Sequence, residues 1–204
     1  MPRLVDHDVR RRQITDASRR VVARDGLEAA TFQAVAAEAG VSVRLVQYYF
    51  GNKQGLLEAT HRAVIEDAAA RFGPAGQAEP AAPREVLRGI LLALLPLDDA
   101  QRADAVVLAA FHAAAVTRSG IGPDALLGAP RVLVDVVAHQ FARADGATDG
   151  SAAGSGRRLD AEIVLAAASG LTQGMVGGHH SRETALAVAD RLLDRVLGPI
   201  GASS

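Results

Sequence analysis

The sequence predicts an all-α protein of about nine helices, an N-terminal three-helix bundle followed by a larger helical domain. Apolar residues recur at helical spacing almost throughout the 204 residues, and no convincing alternating strand interrupts them. Composition agrees: 49% of residues are hydrophobic and 22% charged, as in a folded domain, and only 3% are aromatic, so Leu, Val, Ile and Ala must build the core. Gly and Pro punctuate the chain between the periodic segments.

The first helix is expected from about Val9 to Arg24, with Ile14, Ala17, Val21 and Val22 on one face and Gly26 ending it. Thr31 can cap free backbone N–H groups and opens a second helix that ends at Ala39. Gly40-Val41 makes a turn, Ser42 caps a third helix ending near Phe50, and Asn52 caps a fourth from Lys53 to about Phe72. Gly73 through Pro83 reads as a loop, followed by a fifth helix from Arg84 to Leu95. Asp98 and Asp99 favour the start of a sixth, which runs to about Ser119. A segment from Asp124 is expected to break at Gly128-Ala129-Pro130 and to resume as the seventh helix, up to about Ala144, because proline suits a first helical position. Asp145 to Gly156 reads as a loop, and helices from Leu159 to Val176 and from Arg182 to Leu197 complete the chain. Two domains are expected, 1–52 and 53–204.

Several classes are excluded at this level. Cysteine is absent, so neither a disulfide framework nor a thiolate metal site is possible. The N-terminus is polar and Arg-rich, with no signal peptide expected, and no apolar run suggests a membrane span; a cytoplasmic location fits. No phosphate-binding glycine loop, Gly-x-Ser-x-Gly elbow or His-Glu-x-x-His run points to an enzyme, and no cofactor is implied. His179-His180 lacks an i, i+4 partner, and adjacent histidines point about 100° apart on a helix, so no metal site is expected there. Charge is unevenly distributed. Residues 1–62 hold 10 basic and 7 acidic side chains, and the rest hold 12 and 16, so a polyanion would meet the front of the chain.

The stretch from Thr31 to Phe50 fits a helix-turn-helix, in which a second short helix lies in the DNA major groove. Ala36 is small where the helices touch, Gly40 tolerates positive φ, and Val35, Ala39, Val41 and Val46 can fill the wedge. A plain antiparallel helix pair with a glycine turn is the blander reading. Arg44 sits early in the second helix, where its fork of donors matches guanine, and Gln47, one turn on, can pair with adenine. Val43 can touch a thymine methyl. Thr31 and Ser42, at helix N-termini, can meet phosphates, and Tyr48 and Tyr49, the only tyrosines, are expected to divide between packing inward and offering a hydroxyl outward. Lys53, the only lysine, opens a helix whose dipole disfavours a cation, which indicates an anion between them.

Thr31 to Ser42, followed by Tyr48-Tyr49-Phe50-Gly51-Asn52-Lys53, resembles the N-terminal signature of TetR-family regulators over about residues 10 to 62. Arg44, Gln47 and Tyr49 stand where many members carry Gly, Tyr and His, so the target sequence does not transfer. The resemblance implies that Tyr49 takes a phosphate-binding position and that Tyr48 is nearer the aromatic platform. It also implies a homodimer on a palindromic double-stranded operator, with the last two helices forming a four-helix bundle with the partner. An unknown small-molecule effector in the rear domain would release a repressor from DNA. Ala166, Gly170, Gly174 and Leu186 and Leu193 are the dimer candidates, from a small-residue ridge and an apolar stripe. Phe111, His112, His139, Gln173 and Met175 are the ligand candidates, being large or polar groups in aliphatic helices. A helical adaptor without DNA binding is the alternative.

Overall fold

Glycine at position 40 is what lets two short helices follow each other so closely. In the computed structural model it takes the left-handed conformation (φ 66°, ψ 34°) directly after α2 (Phe32–Ala39). The N–H groups of Gly40 and Val41 reach back to the Ala37 and Ala36 carbonyls at 3.3 and 3.0 Å, closing the helix end. Two residues later Ser42 accepts a hydrogen bond from Leu45 N and starts α3 (Val43–Phe50). Thr31 caps α2 in the same way through Ala34 N, and Asn52 Oδ1 accepts from Gly55 N in the first turn of α4 (Lys53–Phe72).

The structure describes residues 3–72, 82–116, 123–146 and 154–198, with side chains from 7 to 71 and, in the third stretch, from 131 onward. Before α2 lie α1 (Arg3–Asp25) and a short 3-10 turn, Leu27–Ala29. After α4 come α5 (Pro83–Leu94), α6 (Asp99–Val116), α7 (Pro123–Ala144), α8 (Ser155–Val176) and α9 (Arg182–Leu197). The described residues hold no strand, and none of their helices is long and apolar enough to cross a membrane. The loop expected over 73–83 lies almost wholly outside the described residues, as does much of the loop at 145–156. One expectation fails: α7 runs unbroken through Gly128-Ala129-Pro130. A glycine and a proline disfavour a helix interior but do not forbid it, and helical sequence on both sides outweighs them here.

Two compact units emerge, Met1–Asp67 with Ala103–Leu126, and Ala68–Arg102 with Leu127–Ser204, so the division does not coincide with the expected boundary at 52/53. The reason is packing. Leu56, Leu57 and Val64 of α4 and Val107, Phe111 and Ala114 of α6 join the same core as Ile14, Val21, Val35 and Val46. Buried polar groups tie these helices further. Thr60 Oγ1 donates to the Leu56 carbonyl at 2.8 Å and accepts from Ser18 Oγ at 2.9 Å, joining α4 to α1. Arg19 bridges Asp67 of α4, at 2.8 Å, and Asp104 of α6, which is only 3% exposed, while Arg12 also pairs with Asp67. In the second unit Leu87, Ile90, Leu91, Val137, Phe141, Val164 and Leu193 form the core of α5, α7, α8 and α9. Arg84–Asp194 and Arg88–Asp190 pairs align α5 with α9, and the Arg102 guanidinium donates to the Met175 and Val176 carbonyls at the end of α8.

Gly55 sits against the end of α3, where a Cβ would fall inside contact distance of the Phe50 carbonyl oxygen. Gly55→Ala should gain about 0.5–1 kcal/mol of helix propensity and lose about 1–3 kcal/mol to the clash. Chemical denaturation should therefore read a net loss of stability, and an unchanged midpoint would disprove the close approach. Acid should act through two groups. Burial, with His112 adding, lowers the His61 pKa. For Asp67 burial pushes the pKa up, but hydrogen bonds from Arg12 and Arg19 outweigh it and the net direction is down. Both folded values lie below the unfolded ones, so stability is present at higher pH and is lost on acidification. The loss should begin below about 6.5 for His61 and below about 3.9 for Asp67. Urea midpoints measured against pH should lose the upper limb in His61→Gln and the lower limb in Asp67→Asn.

Candidate nucleic-acid interface

Helical geometry splits α3 into two faces. Val46 and Phe50 are buried in the core, with Leu45 and Tyr49 half-buried beside them. Val43, Arg44, Gln47 and Tyr48 occupy the opposite face and are all exposed, so the three side chains expected to read bases share one surface with Tyr48. The helix is held from behind by α1. Arg11 donates to the Tyr49 carbonyl at 3.2 Å and lies 4.8 Å over the Phe50 ring, and Gln13 Nε2 donates to the Ala39 carbonyl at 2.8 Å. Thr31 and Ser42 are exposed at the helix starts, with their oxygens already accepting the capping bonds.

The two tyrosines differ in burial, Tyr49 half-buried and Tyr48 exposed. Tyr49 is the packed one, its ring 4.5 Å from His7 and 6.3 Å from Phe50. Tyr48 stands edge-on to it and is 75% exposed, because one residue of helix rotation carries it onto the outer face. Lys53 has an anionic partner within the chain: Nζ donates to both the carboxylate and the backbone carbonyl of Glu28, each at 3.1 Å. Nothing local in the sequence pairs residues 25 positions apart. His7, Arg11 and Glu28 were therefore missed, although three consecutive arginines must point to three sides of a helix.

The rear-domain residues scatter. Phe111 is fully buried in the first unit, edge-on to His61 at 5.0 Å, and His112 beside it is exposed. His139, Gln173 and Met175 belong to the second unit. His139 is half-buried, Gln173 exposed, and Met175 packs with Leu95, Leu171 and Ala185. Among the dimer candidates Ala166 and Gly170 are exposed and Leu186 is half-buried. Leu193 is 0% exposed and fills the core of its own chain, since the apolar stripe of α9 faces inward. Gly174 is covered by the His180 ring, which a Cβ would strike, so the end of the glycine ridge serves the turn after α8. Exposed apolar residues of α8 that the sequence reading passed over are Leu159 and Ile163; α9 adds Val188. Among the described residues no group of three His, Cys, Asp or Glu is placed to hold a metal.

Comparison with known proteins bears on this arrangement. Residues 14–60 match the family described as bacterial regulatory proteins, tetR family, and residues 83–198 match the BetI-type transcriptional repressor, C-terminal region. The HTH-type transcriptional regulator BetI of Paraburkholderia phytofirmans is 40% identical over 93 residues, which are 46% of this chain and 48% of that protein. BetI of Burkholderia thailandensis is 41% identical over 101 residues, 50% and 51% of the two chains. The chain thus spans about half the length of the curated relatives it matches. A Rhodococcus sp. crystal structure assigned to the TetR-family regulators superposes with a TM-score of 0.78 at 26% identity, covering 92% of this chain and 98% of the other. The fold is also shared, at a TM-score of 0.70 and 21% identity, by a transcriptional regulator of Saccharomonospora viridis solved with choline, over 91% and 93% of the chains. With one family match on the helix-turn-helix and a second across more than half its length, the chain belongs to the tetR family of bacterial regulatory proteins.

Proposed function

We propose that this protein is a sequence-specific, double-stranded-DNA-binding transcriptional regulator, a repressor rather than an enzyme, that works in the cytoplasm as a homodimer on a palindromic operator. The observation that carries the reading is the outer face of α3, where Arg44 and Gln47 stand exposed between Val43 and Tyr48 on a helix braced by α1 and α2. Arg44 and Gln47 read base edges, Val43 meets a thymine methyl, and Thr31, Ser42, Tyr48, Tyr49 and Lys53 hold phosphates. Lys53 can exchange its Glu28 partner for a phosphate cheaply, because both side chains are well exposed and such pairs contribute about 0–1 kcal/mol.

One recognition helix offers too little contact for tight specificity, so two must lie about 34–36 Å apart on one face of the duplex. The exposed apolar row Leu159, Ile163, Ala166 and Gly170 of α8, with Val188 of α9, supports a partner surface there. A small organic effector bound by the helices behind the DNA-binding region would alter that spacing, and by linkage DNA must weaken the effector as much as the effector weakens DNA. That the Saccharomonospora viridis protein of the same fold was solved in complex with choline supports a small-molecule effector.

Selection of bound fragments from random DNA should recover a palindrome, and a protein that enriches no sequence is not such a regulator. Against the recovered operator, Arg44→Ala should cost about 1–3 kcal/mol and relax preference at one base pair. Lys53→Ala should instead weaken operator and random DNA alike and lower the salt dependence by about one unit per protomer. Two variants that both bind like wild type would refute the interface. Ile163→Arg should convert a dimer to monomers in sedimentation and abolish tight operator binding; a dimer that persists would move the partner surface elsewhere.

A further inference from the structure

The DNA-binding region contains a cleft that adds two side chains of α1, His7 and Arg10, to Ser42, Tyr48 and Tyr49. It has a volume of about 450 Å³ and lies between the start of α1, which supplies His7 and Arg10, and the start and near side of α3, where Val41, Ser42, Leu45, Tyr48 and Tyr49 line it. Three consecutive arginines of α1 diverge by about 100° each, and the structure gives each a different task. Arg12 is paired with Asp16 and Asp67, and Arg11 is committed to the Tyr49 carbonyl and the Phe50 ring. Arg10 lines the cleft. It donates to Gln13 Oε1 at 2.8 Å, and Gln13 is itself anchored to the Ala39 carbonyl, so the guanidinium is positioned without being neutralised. Among the described residues no carboxylate pairs with it. His7 is fixed beside it by its 4.5 Å ring contact with Tyr49.

We propose that this cleft seats a backbone phosphate of the DNA flanking the base pairs read by α3, with Arg10 as its principal ligand and His7 as a second donor. The inference rests on the proposed DNA-binding function and adds a contact from α1 to it. The chemistry of the walls selects the occupant. A planar guanidinium with donors unused by its one partner matches two phosphate oxygens, and hydroxyls from Ser42 and Tyr48 complete a polar rim. A neutral or cationic ligand would leave the Arg10 charge uncompensated. Continuity points to DNA as the source of that phosphate: Tyr48 belongs both to the cleft and to the exposed face with Arg44 and Gln47, so a duplex lying on that face passes the cleft mouth.

The test uses the full chain and the operator duplex recovered by selection, with affinity measured by fluorescence anisotropy across a salt series. Arg10→Gln should weaken binding about tenfold and reduce the salt slope by about 0.9 per protomer. Arg10→Lys should keep the slope, because it keeps the charge. Shortening the duplex stepwise from both ends should bring wild type and Arg10→Gln to equal affinity once the flanking phosphate is gone. Melting curves that match wild type are expected for both variants, since Arg10 makes only one side-chain hydrogen bond among the described residues. A salt slope unchanged in Arg10→Gln on every duplex length, with Arg44→Ala still impaired, overturns the cleft and leaves the DNA-binding reading standing. Failure of wild type to select any DNA overturns both.

Discussion

An eight-residue helix cannot set its own direction. Isolated helices of that length are marginal in water, so α3 exists, and points where it does, because other elements hold its inner face. Val46 and Phe50 supply that face, and α1 supplies the brace, with Arg11 on the last turn of α3 and Gln13 on the last turn of α2. The outward orientation of Arg44 and Gln47 is therefore a property of α1 as much as of α3. The same brace explains the density of polar anchoring around it. Arg12 and Arg19 on the other side of α1 reach Asp67 and Asp104, so α1 is fixed to α4 and α6 by charge as well as by packing.

Net charge hides how this region presents itself to a polyanion. Five of its basic residues are matched internally: Arg12 and Arg19 with aspartates, Arg20 and Arg24 with Glu38, Lys53 with Glu28. Those pairs are exposed to different degrees, and that decides what they can do. The Arg19–Asp104 pair is largely withdrawn from water, where breaking it would strand a charge, so it acts as structure. The Lys53–Glu28 pair is open to solvent and exchangeable, so it can act as a counterion that leaves when a phosphate arrives. Among the described residues no carboxylate pairs with Arg10, Arg11, Arg44 or Arg62, and of these Arg44 stands on the outer face of α3 while Arg10 lines the cleft beside it.

How much of this was legible in the sequence follows the range of the interaction. Thr31, Ser42 and Asn52 act within three residues of themselves, Gly40 within four, and all four were read in their places, which put the boundaries of α2, α3 and α4 close to those observed. The face of α3 was also legible, since helical periodicity alone sends Arg44 and Gln47 opposite to Val46. Interactions across 25 or more positions left no such trace. Lys53 showed an electrostatic conflict without showing Glu28 as its answer, and the Tyr48–Tyr49 pair showed a division of labour without its order. The break expected in α7 was a local inference that failed, because propensity is a weak term against a helix continued on both sides.

Periodicity has a further limit, visible in the last two helices. It identifies an apolar face but not what covers it, and the α9 stripe through Ala189 and Leu193 turns out to be covered by its own chain. α8 is different because it is apolar on two sides. Ala161, Val164, Ala168 and Leu171 face inward, while Leu159, Ile163, Ala166 and Gly170 recur at i, i+4, i+7 and i+11 on the outside. One apolar face satisfies a helix packed on a single core, so a second, regularly spaced one calls for another surface to bury it. Two-sided apolarity, rather than the glycine ridge, is the feature that distinguishes α8 from α9, with no reference to any relative.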